Sequence, residues 1–303
     1  MITKDLFGKY DRYTLSNEEL EVSVITLGAT VTSLKFKGEE KAICYQSAEA
    51  AEEGAGFLCK TVGRYANRIG NAAFELEGKH YELPANERKN QLHGGPNSYD
   101  KRVWDAEVKG ESVCFSIFSP DGDNGFPGNF TMRVTFSLEG GALRIDFGGE
   151  TDKTTVYAPT VHPYFNLGGT DNVLEGKLQV NAAGHLEVDE GLIPTGVVLP
   201  CEGKFDFAKM RVIGENFDDC FVTPGEHACT LEMGSCRMEV WTDFPAIQIY
   251  TGISMAAPYK NNQGIAIEPE AYPDSPNHAN FPSTVLRPGE QFKGYVAYNF
   301  SEI

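Results

Sequence analysis

The amino-acid sequence predicts an all-β protein, a large antiparallel β-sandwich with few short helices. Three observations carry that expectation: apolar and polar residues alternate at period two through much of the chain, 32 glycines and 16 prolines are spread along it, and helical periodicity is sparse. The alternation is clear at residues 21–27, 31–36, 113–118 and 132–138. Each run suits a strand with one face on a core. Glu139-Gly140-Gly141 joins residues 136–138 to 143–147 as a hairpin, and Gly234-Ser235 joins 229–233 to 236–241 as another. Residues 47–53 read as a short helix with Ser47 as its N-cap and Gly54 as its stop, and a second short helical segment is expected near residues 207–213. Many strands with few helices must bury their apolar faces against another sheet, which makes the sandwich the expected architecture. No repeat, low-complexity tract or linker divides the chain, so one domain over residues 1–303 is expected.

Composition narrows the function. Apolar residues make up 41% and charged residues 23%, as in folded globular proteins. Acidic residues outnumber basic ones, 43 to 26, for a net charge of -17. Such a chain repels phosphate backbones and anionic membranes, so neither nucleic acid nor membrane is an expected partner, and a neutral small molecule is. The oligomeric state is not legible. Seven cysteines, an odd number with no C-x-x-C spacing, argue against a disulfide framework and a structural zinc site. Reduced thiols in a cytoplasmic protein are expected. Residues 1–13 contain no apolar signal segment, and no stretch of about 18 apolar residues occurs.

Several catalytic signatures are missing. The sequence has no G-x-x-x-x-G-K-[ST], no G-x-G-x-x-G before a helix, no H-E-x-x-H and no G-x-S-x-G. No cofactor and no metal are therefore expected. Asp121-Gly122-Asp123-Asn124-Gly125 resembles the start of a calcium loop, but Phe126 and Met132 stand where its glycine and bidentate glutamate belong. It reads as a polar turn.

Four polar clusters remain. Residues 63–69 (GRYANRI) offer two arginines and an asparagine, either a donor array for hydroxyls or a solvated surface loop. His93 precedes two glycines, where backbone can approach a ligand closely, or it is an ordinary structural histidine. His162 lies among apolar and aromatic residues, as a satisfied core histidine or an acid–base group. Glu268 follows three apolar residues. Burial there demands a partner or a raised pKa, unless the side chain ends a strand in solvent. Asp218 and Gln248 are possible hydroxyl ligands that mean little alone.

Taken in order, these clusters resemble the aldose 1-epimerase family. The resemblance runs from about residue 20 to about residue 300. It rests on residues 63–69, residues 90–95 (NQLHGG) with the DKRVW that begins at Asp100, residues 121–128 (DGDNGFPG), residues 164–167 (YFNL) after His162, and the tail from Glu268 to Glu290. The resemblance implies an antiparallel β-sandwich with an open sugar cleft and no cofactor. It implies His162 as general acid, Glu268 as general base and His93 beside them, with Asn67, Arg68, Asp218 and Gln248 binding or orienting the sugar. Departures are Val161 and Pro163 around the second histidine, and Glu270 where relatives often have glutamine.

Anomer exchange needs these residue types. The C1 hydroxyl must lose a proton while the ring oxygen gains one, and each positioned acid or base contributes on the order of 10²–10⁴ in rate. Glu268 is expected ionised and His162 protonated, each favouring the other's charge. Two rivals use the same residues. A glycoside hydrolase would employ Glu268 with Glu270, and a non-catalytic sugar-binding protein would keep Arg68 and Asp218 without needing the pair.

Overall fold

A computed structural model describes residues 1–255 and 257–303, which form β-structure almost throughout. The longest strands are those with the clearest alternation. Phe130–Glu139 and Ala142–Thr151 pair from Phe130↔Thr151 to Glu139↔Ala142, so Gly140 and Gly141 make a two-residue turn. His227–Met233 and Cys236–Thr242 close the same way at Met233↔Cys236. Both expected hairpins are present.

Nine strands form the largest sheet, in the order Asp105–Lys109, Ser112–Ser119, Phe130–Glu139, Ala142–Thr151, Phe292–Glu302, Cys236–Thr242, His227–Met233, Lys177–Val180 and Arg211–Val212. A second sheet orders Tyr164–Phe165, Ile265–Glu270, Ala246–Tyr250, Asp218–Val222, Gly184–Val188 and Pro194–Leu199. The first 40 residues build a third, five-stranded meander. All these ladders are antiparallel.

The two larger sheets face one another across the main core. Ile247, Ile249, Ile265 and Ile267 from the six-stranded sheet join Met238, Val240, Tyr298 and Phe300 from the nine-stranded one in one hydrophobic cluster. The Tyr298 hydroxyl donates across the layer to the carbonyl of Ile267 at 3.1 Å. Along Ala246–Tyr250 and Ile265–Glu270 this side of the sheet is apolar. Its other side therefore has to carry the polar residues of the same strands.

The short helix is Ala48–Glu53, with Ser47 Oγ accepting from the amide of Ala50 and Gly54 at φ 66° ending it. The expected helix near residues 207–213 is absent. Arg211–Val212 instead adds an edge strand at Lys177↔Val212, and the Arg211 side chain donates to the carbonyl of Asp206. A free sheet edge outcompetes a helix too short to sustain itself. Among the described residues no helix is long and apolar enough to cross a membrane. All seven cysteines are free, and only Cys201 is not buried.

One buried arginine ties the loops together. Arg64 is 1% exposed and donates to the Tyr99 hydroxyl, the Pro127 carbonyl, Thr155 Oγ1 and Ser119 Oγ at 2.7–3.1 Å, with its guanidinium over Phe126 and Phe130. The residue 121–128 segment is the polar turn expected of it. Asp123 takes a bidentate pair of bonds from Arg102, and Asp121 accepts the amide of Gly128. Truncation at Arg64 would leave four acceptors unserved in a dry interior. Arg64→Ala is expected to cost about 3 kcal/mol or more, read as a lowered urea midpoint, and Arg64→Lys is expected to rescue little because an ammonium cannot span the same acceptors.

Candidate functional site

The outer face of the six-stranded sheet carries a row of polar side chains. Ile265–Glu270 alternates, so the isoleucines point to the core while Ala266, Glu268 and Glu270 point away. Gln248 lies directly opposite Glu268, and Cys220 lies directly opposite Gln248. Asp218, two residues from Cys220, shares their face. Gln248 Nε2 donates to Asp218 Oδ1 at 2.7 Å.

His162 reaches this row from a different element. Its amide donates to the carbonyl of Lys60 and its carbonyl accepts from the amide of Cys59, both at 2.9 Å. Thr160 Oγ1 donates to the carbonyl of Pro269 at 2.7 Å and ties this segment to the glutamate strand. His162 Nε2 stands 3.3 Å from Glu268 Oε1, with the side chains 7% and 3% exposed. Tyr164 stacks on the ring of His162 at 4.9 Å. The second Glu268 oxygen and His162 Nδ1 have no hydrogen-bond partner among the described residues.

His93 completes the cluster. Gln91–Leu92 pairs with Arg68–Ile69, and the amide of His93 donates to the carbonyl of Asn67. Asn67 and His93 both have positive φ, 59° and 49°. Gly94 is required beside them, because a Cβ there would lie 2.2 Å from the carbonyl oxygen of Gly63. The Asn67 amide donates to His93 Nδ1 at 3.2 Å. A ring nitrogen that accepts is unprotonated, so neutral His93 carries its proton on Nε2 and offers a donor. Its ring meets that of His162 edge-on at 5.4 Å.

Asn67 and Arg68 fill the remaining side. Asn67 Nδ2 donates to Glu270 Oε1 at 2.8 Å and, more weakly, to Gln248 Oε1 at 3.4 Å. Arg68 Nε lies 3.5 Å from Glu87 Oε2. All seven site residues expected from the sequence, His93, His162, Glu268, Asn67, Arg68, Asp218 and Gln248, thus meet around one sheet face. Arg64, the other arginine of the donor array, does not, since its donors are spent in the core. Three further neighbours are not among the residues expected to exchange protons with the sugar or bind it. Glu270 was legible as the next residue on the face of Glu268. Glu87 and Phe57, whose ring packs on those of His93 and His162 at 4.7 and 6.0 Å, lie in loops with no periodic signal.

Electrostatics corrects one expectation. Burial pushes the His162 pKa down to about 4. Burial, with Glu270 and Asp218 nearby, pushes Glu268 well above the usual carboxylate range. Burial and the cationic tendencies of His162 and Arg68 depress His93 as well. The dry pocket therefore favours the neutral pair, a protonated Glu268 beside an uncharged His162, over the ion pair expected from the sequence. Both arrangements hold the same single proton.

The ligand atoms of His93, His162 and Glu268 lie within 4.8 Å of one another. They do not fit a metal. Ligation through His93 Nε2 would force its proton onto Nδ1, against the Asn67 amide that already donates there.

Comparison with known proteins decides the ancestry. The family model described as aldose 1-epimerase matches residues 11–299. The chain belongs to the aldose 1-epimerase family. Galactose mutarotase from mouse is 33% identical, over 99% of this chain and 98% of its own length. Aldose 1-epimerase from Escherichia coli is 34% identical, over 94% of this chain and 93% of its own. An aldose epimerase homologue from C. elegans superposes with a TM-score of 0.93 at 28% identity, covering 97% of this chain and 99% of that one. Membership of this family confirms the antiparallel sandwich.

The His162 shift has a thermodynamic consequence. Between pH 6.5 and 4 the unfolded chain binds a proton at this residue that the folded chain refuses, so folding stability falls as pH drops through that window. His162→Gln removes the term. The stability difference between variant and parent is expected to move in the variant's favour from pH 7 to pH 4.5, by up to about 1.4 kcal/mol per pH unit, measured by urea unfolding at each pH.

Proposed function

We propose that this protein interconverts the α and β anomers of a free aldose such as galactose or glucose, with His162 and Glu268 exchanging protons with the sugar. The observation that carries this reading is the 3.3 Å contact between His162 Nε2 and Glu268 Oε1, buried on a sheet face ringed by hydroxyl-binding side chains. Family membership supports it.

In this mechanism the shared proton first crosses from Glu268 to His162, when sugar hydroxyls and Arg68 stabilise the carboxylate. Glu268 then takes the proton of the C1 hydroxyl while His162 gives its own to the ring oxygen. The C1–O5 bond breaks, leaving an aldehyde and a C5 hydroxyl. The site is now back at protonated Glu268 and neutral His162. Rotation about C1–C2 presents the other carbonyl face, and the reverse transfers close the ring. No atom or electron leaves the sugar. Arg68 stays charged and serves only as a donor, His93 donates through Nε2, and Asp218 and Gln248 hold hydroxyls. The hydrolase alternative fits less well, because Glu268 and Glu270 share one strand face and do not flank a scissile bond.

Polarimetry on freshly dissolved α-D-galactose tests the assignment. His162→Gln and Glu268→Gln are each expected to lose on the order of 10²–10⁴ in rate while remaining folded by circular dichroism. Near-normal activity in either would falsify the pairing. The pH profile is a second test. A second proton on the pair removes its base, and His162 resists that proton until about pH 4. Blank-corrected kcat/KM is therefore expected to hold from pH 7 to pH 5 and to fall below about pH 4, whereas an acid limb near pH 6.5 would contradict it.

A further inference from the structure

We propose that Glu270 is a positioning residue for this reaction: its carboxyl tethers Asn67, which fixes the tautomer of His93, and as a second carboxyl beside Glu268 it keeps the catalytic pair supplied with its one proton. The proposal rests on the anomer-exchange reading for its kinetic arm only.

Glu270 is fully buried, yet among the described residues it has a single hydrogen-bond partner. Asn67 Nδ2 donates to Oε1 at 2.8 Å, while Oε2 has none among them. Burying a carboxyl that is half satisfied is costly, and nothing in the packing calls for one. Glutamine would fill the same volume. Placement explains the expense. Asn67 sits in the left-handed region, where its backbone amide points at His93 Nδ1. The side-chain bond to Glu270 pins that conformation from the far end. The route from Glu270 to the His93 ring thus has two hydrogen bonds and one residue.

The second role follows from position. Glu270 shares the face of Glu268 two residues away, roughly 6.6–6.8 Å along the strand. The other titratable groups facing it are Asp218 and Cys220 from the neighbouring part of the sheet and Arg68 from the opposite loop. Arg68 is the only cation among them. Negative charge on Glu270 opposes negative charge on Glu268, and burial holds the Glu270 pKa itself up to about 8. As Glu270 ionises near that pH, it raises the free energy of losing the pair's remaining proton. The site stays loaded further into alkali than Glu268 alone would allow.

Two substitutions separate the roles. Glu270→Gln keeps an acceptor for Asn67 and removes the charge. Its kcat/KM at pH 7 is expected within about threefold of the parent, with the alkaline limb moved at least one pH unit lower. Glu270→Ala removes the tether too, and kcat is expected to fall at least tenfold at pH 7 with a smaller change in KM. A readout free of activity is the ring ¹⁵N spectrum. His93 is expected as the Nε2–H tautomer in the parent and in Glu270→Gln, and as a tautomer mixture in Glu270→Ala. Superimposable pH profiles for parent and Glu270→Gln, or an unchanged His93 tautomer in Glu270→Ala, would overturn the proposal. A parent chain without anomerase activity but with the expected tautomer shift would overturn the proposed function and leave the tether standing.

Discussion

Strand alternation in Ile265–Glu270 is the constraint on which the site depends. Two isoleucines on one face are sealed against the opposite sheet, so Glu268 and Glu270 are forced onto the other. Loops then close over that face until both carboxyls are almost dry. A buried carboxyl must be paired, protonated or expelled. Here the surrounding side chains meet that demand with one histidine, one asparagine and one arginine, and each of these is also a group a sugar hydroxyl can use.

The outcome is a site that is most stable when neutral and that, in the proposed reaction, works by being briefly charged. Protonated Glu268 with neutral His162, and ionised Glu268 with protonated His162, differ only in where one proton sits across 3.3 Å. In the proposed reaction the first arrangement closes the ring and the second opens it. In that scheme the return of the same proton across this contact restores the neutral arrangement. The neutral form is also the one that a low-dielectric pocket in a chain of net charge -17 tolerates best.

Much of this was legible in the sequence, for reasons that differ between residues. The sandwich could be read because half-buried strands impose period two on side chains, and the hairpin at Gly140-Gly141 because two-residue turns demand glycine-like backbones. The site residues could be gathered because five blocks kept the order of one family, although each alone was ambiguous. Protonation was not legible. Sequence places Glu268 and His162 near apolar residues but does not say how completely water is removed, and that decides whether they pair as ions or as neutrals. Phe57 was equally hidden, since its loop carries no periodicity. The strand at Arg211–Val212 is not legible because its partner, Lys177–Val180, lies more than 30 residues away and supplies the hydrogen bonds only in three dimensions.

Arg64 changes what a sequence fingerprint of this fold signifies. Its guanidinium joins the glycine-arginine block to Tyr99 beside the DKRVW block and to Pro127 in the DGDNGFPG turn, so three of the most recognisable stretches meet at one buried cation whose donors are spent on structure. Their recurrence records a mechanical joint. A descendant that had surrendered its chemistry would still need that joint to fold, and would keep those letters intact. Ancestry is written in the joint, whereas the proposed chemistry rests on a histidine and a glutamate that make up less than one hundredth of the chain.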